Sequence, residues 1–164
     1  MKTSHVIAAI CALLLSGCAH ILGIPSLEER SRPQVTIGKD GIAVSPAVLY
    51  FLPRERDVEI VWQLPKDSKY RFPTEPKNAR EAGIVIEGQI VDRVVRNADG
   101  TATSVALEPQ KDEIVKCGVR NAGLEFACLN RHTVPGVYKY TIRLVDPQSL
   151  RAPPLVRDPP FINM

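Results

Sequence analysis

Apolar residues come in short runs along most of this chain, and the runs are broken by Gly, Pro, Asn and Asp. From residue 35 onward that is the pattern of strands and turns. Val35-Thr36-Ile37 precedes a Gly38-Lys39-Asp40-Gly41 turn, and Ile42-Ala43-Val44 and Ala47 to Phe51 follow on either side of Pro46. Asp57 to Leu64 opens with an alternation of polar and apolar residues, as a half-buried strand does. Tyr70-Arg71-Phe72 stands behind a Pro65-Lys66-Asp67-Ser68 turn. Ile84-Val85-Ile86 and Ile90 to Val95 are β-branched runs, closed by an Asn97-Ala98-Asp99-Gly100 turn. Thr103 to Leu107, Ile114 to Val119 and Leu124 to Leu129 come next. In Val137 to Val145, the most regular stretch, Val137, Lys139, Thr141 and Arg143 interleave with Tyr138, Tyr140, Ile142 and Leu144. One helical turn is expected, over Glu75 to Ala82, and Pro76 works against it. About eight short strands at a spacing of roughly 8–12 residues predict an all-β fold, a single antiparallel β-sandwich over residues 35–164.

The two ends of the chain depart from this pattern. Lys2 is followed by an apolar stretch, Val6 to Leu15, of secretory-signal length and well short of the about 20 residues that span a bilayer. It closes on Leu15-Ser16-Gly17-Cys18, which resembles the lipobox of bacterial lipoproteins. The resemblance implies that residues 1–17 are a signal peptide removed on maturation, and that Cys18 carries the lipid (diacylglycerol and an amide-linked chain such as palmitate). Ala19 in second place, where an Asp favours retention in the inner membrane, implies the outer membrane, facing the periplasm. More than one acyl chain makes such an anchor stable. Residues 18–34 are then read as the lipidated N-terminus and a flexible tether, with two prolines and no clean period, the alternative being a partly helical or docked segment. Fully extended, residues 19–34 reach about 50–55 Å. At the other end, Asp146 to Met164 holds five prolines. An extended edge or polyproline-like strap is expected there, not a central strand, with Phe161-Ile162 pinning the end to the domain.

Composition narrows the function classes. The formal net charge is +3 and falls to +2 once Lys2 leaves with the signal peptide, too little to argue for nucleic acid. Of four cysteines, Cys11 lies in the signal peptide and Cys18 takes the lipid, leaving Cys117 and Cys128. The segment between them reads as a hairpin turning near Asn121-Ala122-Gly123, with Cys117 opposite Cys128. Opposed residues of an antiparallel pair lie within disulfide range, so a structural disulfide is expected. Trp62 in a mid-domain strand, the downstream Cys128 and the late Pro135-Gly136-Val137-Tyr138-Lys139-Tyr140 run are similar to parts of an immunoglobulin-like domain. That resemblance implies an Ig-like sandwich, with a transthyretin-like one as the alternative, and Trp62 packed inside it. The short Cys117–Cys128 interval departs from the long interval of the Ig disulfide.

Reaction chemistry is sparse. No Gly-x-Ser-x-Gly elbow, phosphate loop, dinucleotide-binding glycine motif or His-Glu-x-x-His occurs. Past the signal peptide the histidines are His20, in the tether, and His132. Cys128 and His132 stand as two ligands of a blue-copper protein do, but a second strand histidine and an axial methionine are missing. No cofactor and no metal are expected. The reading that follows is a non-catalytic binding or scaffolding module, anchored to the bilayer and docking an envelope protein. Its candidate binding residues are Asn130, Arg131 and His132 in a predicted loop, with Arg151 and Arg157 in the proline-rich tail. The alternative is a small periplasmic enzyme or ligand carrier with a site near His132 and Trp62. A spacer lipoprotein with no ligand is a third, blander possibility.

Overall fold

The alternation along residues 136–144 sets the layout. In the computed structural model Tyr138, Tyr140, Ile142 and Leu144 are buried, while Val137, Lys139 and Arg143 on the opposite face are partly exposed. The structure describes residues 25–76, 78, 81–91, 95–96, 102–103, 106–110, 112–149 and 153–164. The lipobox, Cys18, Arg151 and the turn expected at 97–100 lie outside these.

Thirteen strands occur among the described residues: β1 (Gln34–Gly38), β2 (Gly41–Ser45), β3 (Leu49–Phe51), β4 (Val58–Gln63), β5 (Ile84–Val91), β6 (Val95–Arg96), β7 (Ala102–Thr103), β8 (Ala106–Glu108), β9 (Ile114–Arg120), β10 (Glu125–Asn130), β11 (Gly136–Leu144), β12 (Leu155–Arg157) and β13 (Pro160–Asn163). One sheet has the order β2-β1-β4-β10-β9 and the other β3-β13-β11-β5-β8, with β12 also paired to β11. β6 and β7 form a separate small pair. Pairings are antiparallel except β1 with β4 and β3 with β13. The two sheets enclose one core that includes Trp62, Phe72, Phe126, Tyr138, Tyr140 and Phe161. Aromatic pairs knit it together: Tyr138 stacks on Phe161 with centroids 4.8 Å apart, and Trp62 lies 5.4 Å from Tyr140. The expected all-β sandwich is the architecture observed.

Three local expectations are corrected. The two runs at 84–86 and 90–95 begin as one strand, β5, which passes through Gly88. There the backbone has φ +148°, and a Cβ would collide with the Glu108 carbonyl oxygen, so the close approach of β8 demands glycine. The C-terminal strap is no edge: β13 sits between β3 and β11. Its prolines stay out of the way, Pro159 in the break after β12 and Pro160 at the strand start, so Phe161, Ile162 and Asn163 pair with neighbours on both sides.

The third concerns the tether, where the docked, partly helical alternative holds over residues 25–34. Residues 25–34 are folded onto the domain, and Leu27–Ser31 form a helix, α1. Ser26 caps it: its hydroxyl accepts from the Glu29 N–H at 3.2 Å, while the Glu29 carboxylate accepts from the Ser26 N–H at 2.6 Å. The helical turn expected over Glu75 to Ala82 falls partly outside the described residues.

Candidate interaction site

The sandwich has two dissimilar ends. The register puts the β3–β4 loop (52–57), the β10–β11 loop (131–135) and the last residue, Met164, at one end, which α1 reaches through the Arg30–Glu55 pair. Asn130 pairs opposite Val58, Gly136 opposite Asn163, and the Met164 N–H donates to the Phe51 carbonyl at 2.9 Å. The opposite end carries the turns at 38–41, 64–70, 121–124 and 146–149. Leu64 N–H donates there to the Leu124 carbonyl at 2.9 Å, Phe72 N–H to the Gly123 carbonyl at 2.8 Å, and Arg71 bridges to Val145.

The predicted loop residues fall at the first end, and two of them face inward. Asn130 and Asn163 are buried amides that exchange two hydrogen bonds between the sheets, at 2.9 and 3.1 Å. His132 is buried as well, its Nδ1 lying 3.1 Å from the Glu55 carbonyl and its Nε2 2.9 Å from the Met164 carbonyl. A neutral imidazole donates to one of these oxygens and an imidazolium to both. Glu113 is also buried: its carboxylate accepts from the Thr133 N–H at 2.7 Å and from the Thr133 hydroxyl. The polar atoms of Asn130 and His132 are thus spent on their own chain, and only Arg131 of that trio is exposed. Arg157 is exposed on β12. Trp62 is fully enclosed, and neither its indole N–H nor the Tyr140 hydroxyl has a partner with hydrogen-bond geometry. Burial raises the Tyr140 hydroxyl to about 12, and burial with the nearby Glu113 charge does the same for Tyr138.

Cys117 and Cys128 form a disulfide, with Cα atoms 4.1 Å apart. It ties edge strand β9 to β10 within one sheet, at a bulge that holds the extra residue Lys116 at φ +53°. Bulge and lysine together blunt that edge against an added strand.

Besides a recess of about 580 Å³ along α1, lined by Glu28, Glu29, Arg32, Gln34 and Gln63 among others, two further surfaces among the described residues show polar groups arranged with open space. On the outer face of the second sheet, a recess of about 550 Å³ is lined by Glu87, Thr141, Arg143, Val156 and Asp158 among others. Its charges are largely used internally. The Lys139 ammonium lies 2.8 Å from Glu87 and 3.6 Å from Asp158, and Thr141 meets both carboxylates. Hydrogen bonds from Lys139 and Thr141 hold the Glu87 carboxyl below its ordinary range. The other recess, about 420 Å³, lies at the turn-bearing end between Thr36, Ile37, Pro65, Asp67, Ser68, Lys69 and Tyr70. There the exposed Lys69 ammonium sits 4.9 Å over the Tyr70 ring and 3.4 Å from Asp146. An ammonium, an aromatic face and backbone turns in one place suit a polar protein surface. No sequence signal singled out this end, because its residues are ordinary turn formers.

Fold and surface together define a class: a disulfide-bonded, all-β sandwich domain with no helix among the described residues long and apolar enough to cross a membrane. No protein-family model matches the chain, and no curated protein does either.

Proposed function

We propose that this protein is a lipid-anchored lipoprotein of the bacterial outer membrane whose β-sandwich is a non-catalytic docking module for an envelope protein. The Leu15–Cys18 motif supports the anchor, and the separation of the two ends supports the docking role. The Pro25 carbonyl accepts from Arg30, which pairs with Glu55 of the 52–57 loop, so an anchor at Cys18 keeps that end toward the bilayer. The turns at 38–41, 64–70, 121–124 and 146–149 then point into the periplasm, and the partner meets the protein there. This moves the docking surface away from Asn130 and His132. The enzyme or carrier reading centred on His132 and Trp62 loses its support, since both side chains are enclosed.

Two measurements test the reading. The mass of the Cys18 peptide from purified membranes is expected to carry acyl chains, and Cys18→Ser is expected to move the protein to the soluble fraction. Charge reversal at Lys66 and Lys69 is expected to abolish crosslinking to the partner in cells, while Arg131→Glu and Arg157→Glu leave it intact. An unmodified Cys18, or the reverse dependence on these charges, contradicts the proposal.

A further inference from the structure

We propose that the contact between Arg30 and Glu55 is a releasable clasp that sets how far the sandwich stands from the membrane; the spacing role rests on the lipid-anchor reading above. Helix α1 has five residues and buries only one of them, Arg30. A helix this short does not persist alone in water, so it stays folded only while docked. Its docking is almost entirely polar. The Arg30 guanidinium donates to both Glu55 oxygens, at 2.8 and 2.9 Å, to the Pro25 carbonyl at 3.0 Å and to the Tyr50 carbonyl. It also lies 4.7 Å over the Tyr50 ring, while Leu27, the large apolar residue of the helix, is exposed.

Glu55 is prepared for this contact. Its carboxylate also accepts from the Leu52 N–H at 2.7 Å, and its own N–H closes a turn on the Leu52 carbonyl at 2.8 Å. The charged or titratable groups facing it are Arg30 from α1, Arg54 from its own loop and His132, whose ring meets the Glu55 carbonyl. Burial pushes the Glu55 carboxyl up, but the hydrogen bonds from Arg30 and Leu52 and the charges of Arg30 and Arg54 hold it below its ordinary value. The ion pair is therefore intact at neutral pH and is lost as acid protonates Glu55, at pH values below the ordinary glutamate range.

The helix has an escape that a core element lacks. A buried guanidinium without its carboxylate is costly where it must stay buried. Here residues 25–33 lead into the sandwich through β1, about which the segment swings out to hydrate the charge. While α1 is docked, six residues, 19–24, separate Cys18 from it, and six residues span at most about 20 Å. With residues 25–33 released the span becomes about 50 Å. A partner or an acidic surface that competes for Arg30 thus lets the domain reach deeper into the periplasm.

Hydrogen exchange read by mass spectrometry on the full chain in detergent micelles tests the clasp. In both Glu55→Ala and Arg30→Ala, amides of residues 28–33 are expected to exchange about tenfold faster or more, while β4, β10 and β11 keep their protection. Arg30→Ala leaves no unpaired buried cation, so it serves as the test if Glu55→Ala fails to fold. Unchanged exchange at 28–33, or loss of protection spread over the whole sandwich in Arg30→Ala, overturns the clasp. The Cys18 peptide from the same sample reads the anchor separately. Local release with an unlipidated Cys18 overturns the membrane-spacing role and leaves only a docked helix.

Discussion

Asn130→Ala tests whether the 130–133 loop is structural. Asn130 and Asn163 are almost wholly removed from solvent, and each amide gives one hydrogen bond to the other. Truncating Asn130 leaves one donor and one acceptor of Asn163 unpaired in the core. Each stranded group costs about 1–3 kcal/mol, so the substitution is expected to destabilise the domain by about 2–6 kcal/mol. At about 4 °C per kcal/mol for a domain of this size, Tm falls by about 8–24 °C. Replacing both residues by leucine removes both partners and keeps a similar shape, so Asn130→Leu with Asn163→Leu is expected to stay within about 1 kcal/mol of the parent. Urea denaturation of the parent, Asn130→Leu, Asn163→Leu and the double variant gives the coupling energy, expected at about 1–3 kcal/mol. A cost for Asn130→Ala below about 0.5 kcal/mol, or single costs that simply add, refutes the reasoning and returns Asn130 to the surface as a binding residue.

Three further outcomes are expected. The Cys117–Cys128 bond closes a loop with a sequence separation of 11, so Cys117→Ser with Cys128→Ser lowers stability by about 3 kcal/mol in chemical denaturation. Gly83→Ala places a Cβ 2.8 Å from Phe72 Cδ1 and 2.9 Å from Phe126 Cδ2, and overpacking between those rings costs about 1–3 kcal/mol in thermal melts. Tyr138 and Tyr140 hold their protons to about 12 when folded, against 10.0 for the free side chain. Their contribution is complete below pH 10 and is lost as pH rises toward 12, so their tyrosinate absorbance emerges together with unfolding, not ahead of it.

Much of the fold was legible because the strands carry period-two alternation and the turns carry Gly, Asn, Asp and Pro. The run from Val137 to Val145 alternates without a break, and its aromatic face is the core face. The cysteine pairing was legible from hairpin register alone. What escaped was set by tertiary contact. Nothing local tells that Glu55 will meet Arg30 across 25 positions, or that Asn130 will find Asn163 across 33. A polar triplet such as Asn130-Arg131-His132 looks like a solvated loop until the second sheet supplies its partners. Helix α1 had a signal that went unused: Ser26-Leu27-Glu28-Glu29 is a capping box. The prolines of the C-terminal segment argued against a central strand. They proved compatible with one because Pro160 takes the first strand position and Pro159 lies before it.

Photo-crosslinking in intact cells, from single sites on the two ends of the domain, tests the anchored docking module most directly. Probes at Lys39, Lys66, Asn121 and Gln148 are all exposed on the turn-bearing end, and Arg54 and Arg131 are exposed at the end holding the 52–57 and 131–135 loops. The account predicts one discrete protein adduct shared by the first group, with lipid adducts from the second. Protein adducts confined to Arg54 and Arg131, with none from the four turns, contradict it.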